Sequence, residues 1–212
     1  MDGSAVKIIS AEFDTTAVAA EGYPRAMAPE LAFAGRSNVG KSSMINALCQ
    51  RRKLVRVSNT PGRTRTLNFF DVVLEVREPS GGGTAARRLP LRFCDLPGYG
   101  FARASKAERK VWDRMIGGYL SGREGLRGVV CIVDASVGPT EDDFDVIGWI
   151  AGLGRRVIVA ATKIDQVPKH RRIPRTKEIA SALHQPGAVV GVSATEPINL
   201  GALWERILEA IA

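Results

Sequence analysis

The chain has 212 residues, of which 45% are hydrophobic, and a formal net charge of +8. That length is enough for one hydrophobic core and short for two, and the hydrophobic fraction excludes an intrinsically disordered chain. No apolar run approaches the ~18 residues of a membrane-spanning helix, and the N-terminus lacks the apolar core of a secretory signal, so we expect a cytoplasmic protein without membrane insertion.

Strands and helices alternate along the predicted structure. The strands are expected near residues 30–34, 67–77, 88–94, 128–134, 156–162 and 187–192. The helices are expected near residues 41–50, 105–121, 140–152, 173–184 and 199–211. A Gly-rich stretch, residues 78–85, joins the second strand to the third, so this pair should be an antiparallel hairpin, whereas helical crossovers make the other pairs parallel.

These elements predict an α/β fold of three layers. Its centre is a six-stranded, mostly parallel sheet with one antiparallel hairpin strand, and helices cover both faces. We expect one domain over residues 29–212, preceded by an N-terminal extension of residues 1–28.

The first candidate site follows the first predicted strand and opens the first helix. It reads Gly35-Arg36-Ser37-Asn38-Val39-Gly40-Lys41-Ser42-Ser43. The pattern G-x-x-x-x-G-K-S in this context predicts a loop whose backbone N–H groups surround phosphates. Lys41 would reach the β- and γ-phosphates, and the Ser42 hydroxyl would ligate Mg²⁺. The alternative is a Gly-rich turn that only opens a helix; the motifs that follow, in this order, argue against it.

A polar loop between the first helix and the second strand is a candidate nucleotide sensor. Its candidate residues are Gly62, Arg63, Thr64, Arg65 and Thr66. A threonine in such a loop can complete the Mg²⁺ shell only when a γ-phosphate is present, so the loop would be ordered in one nucleotide state and loose in the other. Thr64 and Thr66 both qualify chemically.

The third predicted strand ends in a D-x-x-G motif. Its residues are Asp95, Leu96, Pro97 and Gly98. Asp95 could hold the Mg²⁺ shell through a water molecule, and Gly98 could offer its N–H group to a γ-phosphate because no side chain blocks a close approach.

Two further motifs predict recognition of guanine. The first is Thr162-Lys163-Ile164-Asp165, after a β-branched strand. The second is Val192-Ser193-Ala194, after the last strand. The Asp165 carboxylate can accept two hydrogen bonds from guanine, and adenine would leave it unpaired. The aliphatic stem of Lys163 would lie along the base. Thr162 stands where Asn is common and should remove one tethering amide, and a backbone N–H of the second motif can bond the guanine carbonyl oxygen.

The order of these motifs is that of small P-loop GTPases, and the chain resembles the EngB family (also called YihA or YsxC), bacterial GTPases of ribosome assembly. Residues 29–43, 60–64, 68–70 and 95–100 carry this resemblance. It implies binding of GTP and GDP, Mg²⁺-dependent hydrolysis with Lys41, Thr64 and Gly98 in catalytic roles, and Thr64 as the Mg²⁺ ligand of the sensor loop. The sequence departs from the family at Arg65, where Gln is usual, and in a longer Gly-rich hairpin.

The residue after D-x-x-G affects the expected rate of hydrolysis. Many small GTPases carry there a Gln that orients the attacking water, but this chain has Tyr99. We therefore expect slow intrinsic hydrolysis that responds to a partner. Some GTPases with a hydrophobic residue at this position use K⁺ held by a loop Asn; Asn38 matches that Asn, so K⁺ stimulation is a hypothesis beside simple hydrogen bonding within the loop.

The positive charge predicts a polyanionic partner. Basic residues cluster at positions 51–56, 63–65, 87–88, 103–110 and 169–177. Several of these clusters flank the two nucleotide-sensing loops, so RNA is the expected partner, bound through backbone and shape. The resemblance to the EngB family implies that this RNA is ribosomal RNA of the large subunit. The alternative is a GTP-gated regulatory module of cell division without a ribosomal role. In either case we expect a monomer.

Overall fold

The computed structural model describes residues 6–55, 66–80, 83–100, 106–185 and 189–212. The strands are β1 (Val6–Ala17), β2 (Glu30–Gly35), β3 (Leu67–Ser80), β4 (Gly83–Asp95), β5 (Leu126–Asp134), β6 (Val157–Thr162) and β7 (Val189–Gly191). The helices are α1 (Lys41–Leu48), α2 (Lys106–Gly122), α3 (Glu141–Gly152), α4 (Arg172–Ala182) and α5 (Leu200–Ile211). None of the helices in these ranges is long and apolar enough to cross a membrane.

The strands form one sheet in the order β1-β3-β4-β2-β5-β6-β7. β3 pairs antiparallel with both β1 and β4, while β2, β4, β5, β6 and β7 pair parallel. β3 is therefore the one strand that runs opposite to the others, as the hairpin predicted.

Within the described residues the sheet has seven strands where six were predicted, because β1 lies in the segment expected to precede the domain. Its register against β3 shifts twice, between Ile8 and Ser10 and between Phe13 and Thr15. Each irregularity breaks the alternation of buried and exposed side chains from which strands are predicted. β1 therefore shows no simple period of two in the sequence, although it is hydrogen-bonded over its length.

The Gly-rich hairpin is also more regular than expected. β3 and β4 remain paired as far as Ser80 opposite Gly83, so most of residues 78–85 belong to the two strands and do not form a loop.

The two faces of the sheet carry separate hydrophobic cores. On one face α1 and α5 pack through residues such as Met44, Leu48 and Trp204. On the other face α2, α3 and α4 pack through residues such as Tyr119, Ile147 and Ile179. The predicted three layers are confirmed. Because helices cover both faces of the sheet, the polar loops lie at the ends of the strands.

Candidate nucleotide-binding site

Five parallel strands end at the same edge of the sheet. The loops that leave β2, β4, β5, β6 and β7 contain every sequence-predicted motif except the sensor loop. Ligands of open α/β sheets bind outside the carboxyl ends of the strands, so the topology brings the predicted phosphate and base motifs to one place.

The loop between β2 and α1 has the backbone of a phosphate cradle. Asn38 and Gly40 have positive φ angles of 64° and 101°. Gly40 is the N-cap of α1, so the N–H groups of the first helical turn, which includes Ser42 and Ser43, point towards the loop. Positive φ at two closely spaced residues is typical of anion-binding loops.

Lys41 and Asp95 meet at the base of this loop. The Lys41 Nζ donates a hydrogen bond to Asp95 Oδ1, and the two side chains are only 11% and 6% exposed. The ammonium group expected to bind phosphates and the carboxylate expected to hold the metal shell thus form an ion pair in this structure. Ser42 lies next to Lys41 and is half-buried.

The D-x-x-G segment lies directly against the phosphate loop. The Tyr99 N–H donates to Gly35 O over 3.3 Å, and the Ser37 N–H donates to Tyr99 O over 3.2 Å. A Cβ on Gly98 would lie 3.0 Å from Ser37 Oγ and 3.2 Å from Ser37 N. Only glycine allows the two segments to approach this closely.

The end of β6 presents an unpaired carboxylate oxygen. Asp165 Oδ1 is buried and has no hydrogen-bond partner among the described residues. Arg172 Nη2 holds the Asp165 backbone oxygen at 3.2 Å, and the Ile164 N–H donates to Val192 O, also at 3.2 Å. A buried acceptor without a donor is costly, so the geometry fits a ligand that supplies N–H groups, as guanine does.

Thr162 ties this base motif to the phosphate loop. Its hydroxyl lies 2.8 Å from Val39 O and 3.0 Å from Val133 O. Thr162 lacks the amide of the usual Asn, but its hydroxyl still bonds the carbonyl of the phosphate loop and provides a tether of its own.

The Val192–Ala194 loop packs beside Asp165. Val192 and Ser193 are fully buried, and Ser193 Oγ accepts hydrogen bonds from the N–H groups of Thr195 and Glu196 at 3.2 and 3.1 Å. These bonds fix the loop backbone next to the base motif.

The sensor loop is the one predicted motif that the structure describes only at its end. Gly62, Arg63, Thr64 and Arg65 lie outside the described residues. Thr66 precedes β3, and its hydroxyl lies 3.4 Å from Asn68 Oδ1.

Two aspartates of the site were not predicted. Asp134, at the end of β5, accepts a 2.6 Å hydrogen bond from Lys163 Nζ. Burial opposes ionisation, but the bonds from Lys163 and Ser136 outweigh it and lower the pKa of Asp134. Asp134 thus fixes the lysine of the base motif. The only signal in the sequence was its position, the last residue of an apolar strand.

Asp143, in the first turn of α3, is the second. It is completely buried, and its Oδ1 accepts a 2.9 Å hydrogen bond from the Tyr99 hydroxyl. Burial and the Asp143 charge raise the pKa of Tyr99, which therefore stays a neutral donor. In the sequence, Asp143 is one of three acidic residues in the first turn of α3, and nothing there distinguishes it from the other two.

Comparison with known proteins agrees with this geometry. The family described as "50S ribosome-binding GTPase" matches residues 30–163. A protein of Myxococcus xanthus named "Probable GTP-binding protein EngB" is 51% identical over 205 residues, covering 96% of both chains. A protein of the same name from Anaeromyxobacter dehalogenans is 50% identical over 203 residues, covering 95% of this chain and 91% of the other.

Solved structures share the fold. The crystal structure of a probable GTP-binding protein EngB superposes with a TM-score of 0.59 at 21% identity, covering 86% of this chain and 98% of the other. A variant of Era from Aquifex aeolicus bound to GDP and AlF₄⁻ gives a TM-score of 0.64 at 26% identity, covering 86% of this chain and 56% of the other. Identity near one half over almost the whole length is decisive: the chain belongs to the EngB family of GTP-binding proteins and is a GTPase.

Proposed function

We propose that this GTPase is a slow switch in assembly of the large ribosomal subunit in the bacterial cytoplasm, and that normal cell division and septation require this step. The observation that carries the ribosomal part is the match of residues 30–163 to a family described as binding the 50S ribosome. The excess of eight positive charges supports a partner rich in phosphate.

Residues 29–212 are the nucleotide-binding domain in this proposal. Residues 1–28 are its extension, which contributes β1 to the edge of the sheet beside β3.

Base selection rests on Asp165 and on the loop after β7. The unpaired Asp165 Oδ1 is available to accept a hydrogen bond from guanine, while Lys163, held by Asp134, lies along the base. Adenine offers no matching pair of donors, and it would leave the carboxylate desolvated and unpaired.

Hydrolysis adds water to the γ-phosphorus, breaks its bond to the β–γ bridging oxygen and yields GDP and phosphate. Lys41 neutralises charge on the phosphate oxygens, and the N–H groups of residues 38–43 and of Gly98 bind oxygens that gain charge in the transition state. Mg²⁺ fits the oxygen donors of Ser42, Thr64 and, through water, Asp95, and when bound it supplies further charge neutralisation.

Slow intrinsic turnover follows from Tyr99. Its hydroxyl is bonded to Asp143 and its side chain is only 6% exposed, so it does not orient a water as the Gln of other GTPases does. Asn38 is exposed in the phosphate loop, and K⁺ binding at Asn38 is part of the proposal. A rate of GTP hydrolysis that is equal in KCl and in NaCl would contradict K⁺ binding.

The metal assignment has its own test. Ser42→Ala should weaken Mg²⁺-dependent binding of both GDP and GTP, whereas Thr64→Ala should weaken only GTP binding because its loop orders on the γ-phosphate. Thr66→Ala is the matched control. Equal losses of GDP and GTP affinity from Thr64→Ala would contradict the sensor role.

The ribosomal contact is assigned to the surface after D-x-x-G. Arg103 lies outside the described residues, Lys106 begins α2, and Arg109 follows one turn later. α2 ends at Gly122, and the next residue, Arg123, bonds to Glu30 at the amino end of β2. The first turns of α2 therefore lie towards the carboxyl ends of the strands, where the phosphate loop is.

Co-sedimentation with large ribosomal subunits tests this assignment. Binding should be stronger with a non-hydrolysable GTP analogue than with GDP, and replacing Arg103, Lys106 and Arg109 by Ala should weaken it. The charge-matched control replaces Arg127, Arg156 and Arg206, of which Arg127 and Arg156 lie at the amino ends of β5 and β6. Absence of co-sedimentation in either nucleotide state would favour the regulatory module of cell division instead.

A further inference from the structure

One buried carboxylate joins three parts of the molecule that move or react in a GTPase. Asp143 Oδ1 accepts from the Tyr99 hydroxyl at 2.9 Å, and Oδ2 accepts from the backbone N–H and the hydroxyl of Thr140, each at 2.9 Å. Arg36 Nε of the phosphate loop lies 3.2 Å from Oδ2, outside hydrogen-bond geometry. Asp143 therefore contacts the residue after D-x-x-G, the start of α3 and the phosphate loop at once.

The two oxygens of the Asp143 carboxylate bind different partners, one in the helix cap and one next to D-x-x-G. Oδ2 receives the two bonds from Thr140 that cap α3, while Oδ1 receives the Tyr99 hydroxyl. A helix cap needs only the first set of bonds. The bond to Tyr99 is additional, and it links α3 to the segment beside the γ-phosphate position.

Tyr99 is fixed at both ends. Its backbone bonds Gly35 O and Ser37 N, and its side chain reaches through the core to Asp143. Gly98, the preceding residue, is packed so closely against Ser37 that a Cβ would lie 3.0 Å from its Oγ and would push the two segments apart. The orientation of the Gly98 N–H group therefore depends on where Tyr99 is held.

We propose that Asp143 is a positioning residue for GTP hydrolysis, acting through Tyr99 to hold the Gly98 N–H group in its place beside the phosphate loop. This rests on the proposed role of Gly98 and is independent of any ribosomal partner. Hydrogen bonds to a buried charged acceptor are stronger than neutral ones, so the link is stiff enough to fix a backbone group. The Tyr at the position of the usual Gln thus orients the machinery and does not orient water.

Tyr99→Phe is the decisive variant, because it removes one oxygen and keeps the packing. Single-turnover hydrolysis by protein in excess over GTP should slow about tenfold, the equivalent of one hydrogen bond to a charged group. GDP affinity should change by less than about twofold, because GDP lacks the γ-phosphate that Gly98 faces. An unchanged hydrolysis rate in this variant overturns the proposal, as does an equal loss of GDP and GTP affinity.

The pair is tested by a double-mutant cycle. Asp143→Asn should slow hydrolysis at least as much as Tyr99→Phe, and the double variant should be no slower than Asp143→Asn alone. Asp145→Asn, an exposed acid on the same helix, is the matched control and should leave the rate unchanged. Independent, multiplicative losses in the double variant would show that Asp143 does not act through Tyr99.

Two further measurements separate this role from others. Thr140→Val removes the hydroxyl that donates to Asp143 Oδ2 in the cap of α3. This variant should lower the melting temperature while preserving the rate of hydrolysis per bound GTP. If it slows hydrolysis as much as Tyr99→Phe does, Asp143 acts only as a helix cap and the proposal is overturned. Gly98→Ala should abolish most hydrolysis. If it does not, the role of Gly98 fails, and the positioning role falls with it.

Discussion

At the scale of single residues, the proposed base selectivity rests on the Asp165 carboxylate. Asp165 Oδ1 is buried without a partner among the described residues, while Arg172 and the neighbouring loop hold the Asp165 backbone in place. A buried acceptor without a donor costs stability, and a ligand that supplies an N–H group would recover that cost. In the proposed function, this is how guanine would be preferred over adenine.

Asp165→Asn should exchange guanine for xanthine selectivity. The amide replaces one acceptor by a donor, which mismatches the guanine N–H groups and matches the additional carbonyl of xanthine. GTP affinity should fall about 100-fold, and binding of xanthosine triphosphate should appear, as measured by nucleotide titration. GTP affinity equal to that of the original chain would contradict the assignment.

Thr162→Val should loosen the phosphate loop while it preserves shape. The variant loses the hydroxyl that bonds Val39 O, a bond of ordinary strength worth ~1 kcal/mol. Affinities for GDP and GTP should therefore both fall about fivefold, since the tether acts on a loop that contacts phosphates in either state. A loss confined to one nucleotide would point to a sensor role instead.

At the scale of elements, α2 is held in place at its C-terminal end. Its C-terminal end is anchored: Arg123 Nη2 lies 2.7 Å from Glu30 Oε2, and the Tyr119 hydroxyl donates to Glu30 Oε1 at 2.5 Å. The Arg123 guanidinium also lies 5.8 Å from the ring centres of Tyr23 and Phe69. Its first turn comes soon after D-x-x-G in the chain.

Breaking the anchor should destabilise the whole domain. Arg123→Met leaves the fully buried Glu30 carboxylate without its counter-charge and should lower the free energy of unfolding by about 3 kcal/mol, measured by urea denaturation. Arg127→Met, at an exposed position nearby, is the control and should cost less than about 0.5 kcal/mol. Adding Glu30→Gln to Arg123→Met should recover part of the loss; no recovery would show that Arg123 acts through packing alone.

At the scale of the whole molecule, net charge and fold act together. The strands place the described phosphate and base motifs at one edge, and the basic residues at 103–110 and 169–177 follow D-x-x-G and the base motif in the chain. In the proposed function, a polyanion bound by these basic residues would lie close to the nucleotide. This arrangement would couple the GTP state to RNA affinity without a separate RNA-binding domain.

Ribosomal association should therefore be strongly salt-dependent. Each phosphate contact contributes roughly 0.7–0.9 to the slope of log K against log salt concentration, so the Arg103, Lys106 and Arg109 triple variant should lower that slope by about 2–3. Binding measured across a series of salt concentrations gives the slope directly. A triple variant that changes K equally at every salt concentration would indicate a contact that is not electrostatic.

The sequence by itself determined the α/β class, the mostly parallel sheet and the positions of its phosphate and base motifs. The spacing of glycines, the β-branched strands and the polar residues at strand ends are local signals, because each depends on residues that are close together in the chain. Only the tertiary structure revealed β1, whose bulges hide its period, and the hydrogen bonds of Asp134, Thr162 and Asp143. Their partners lie 29, 123 and 44 residues away in the chain, and such pairings exist only once the sheet has brought the strand ends together.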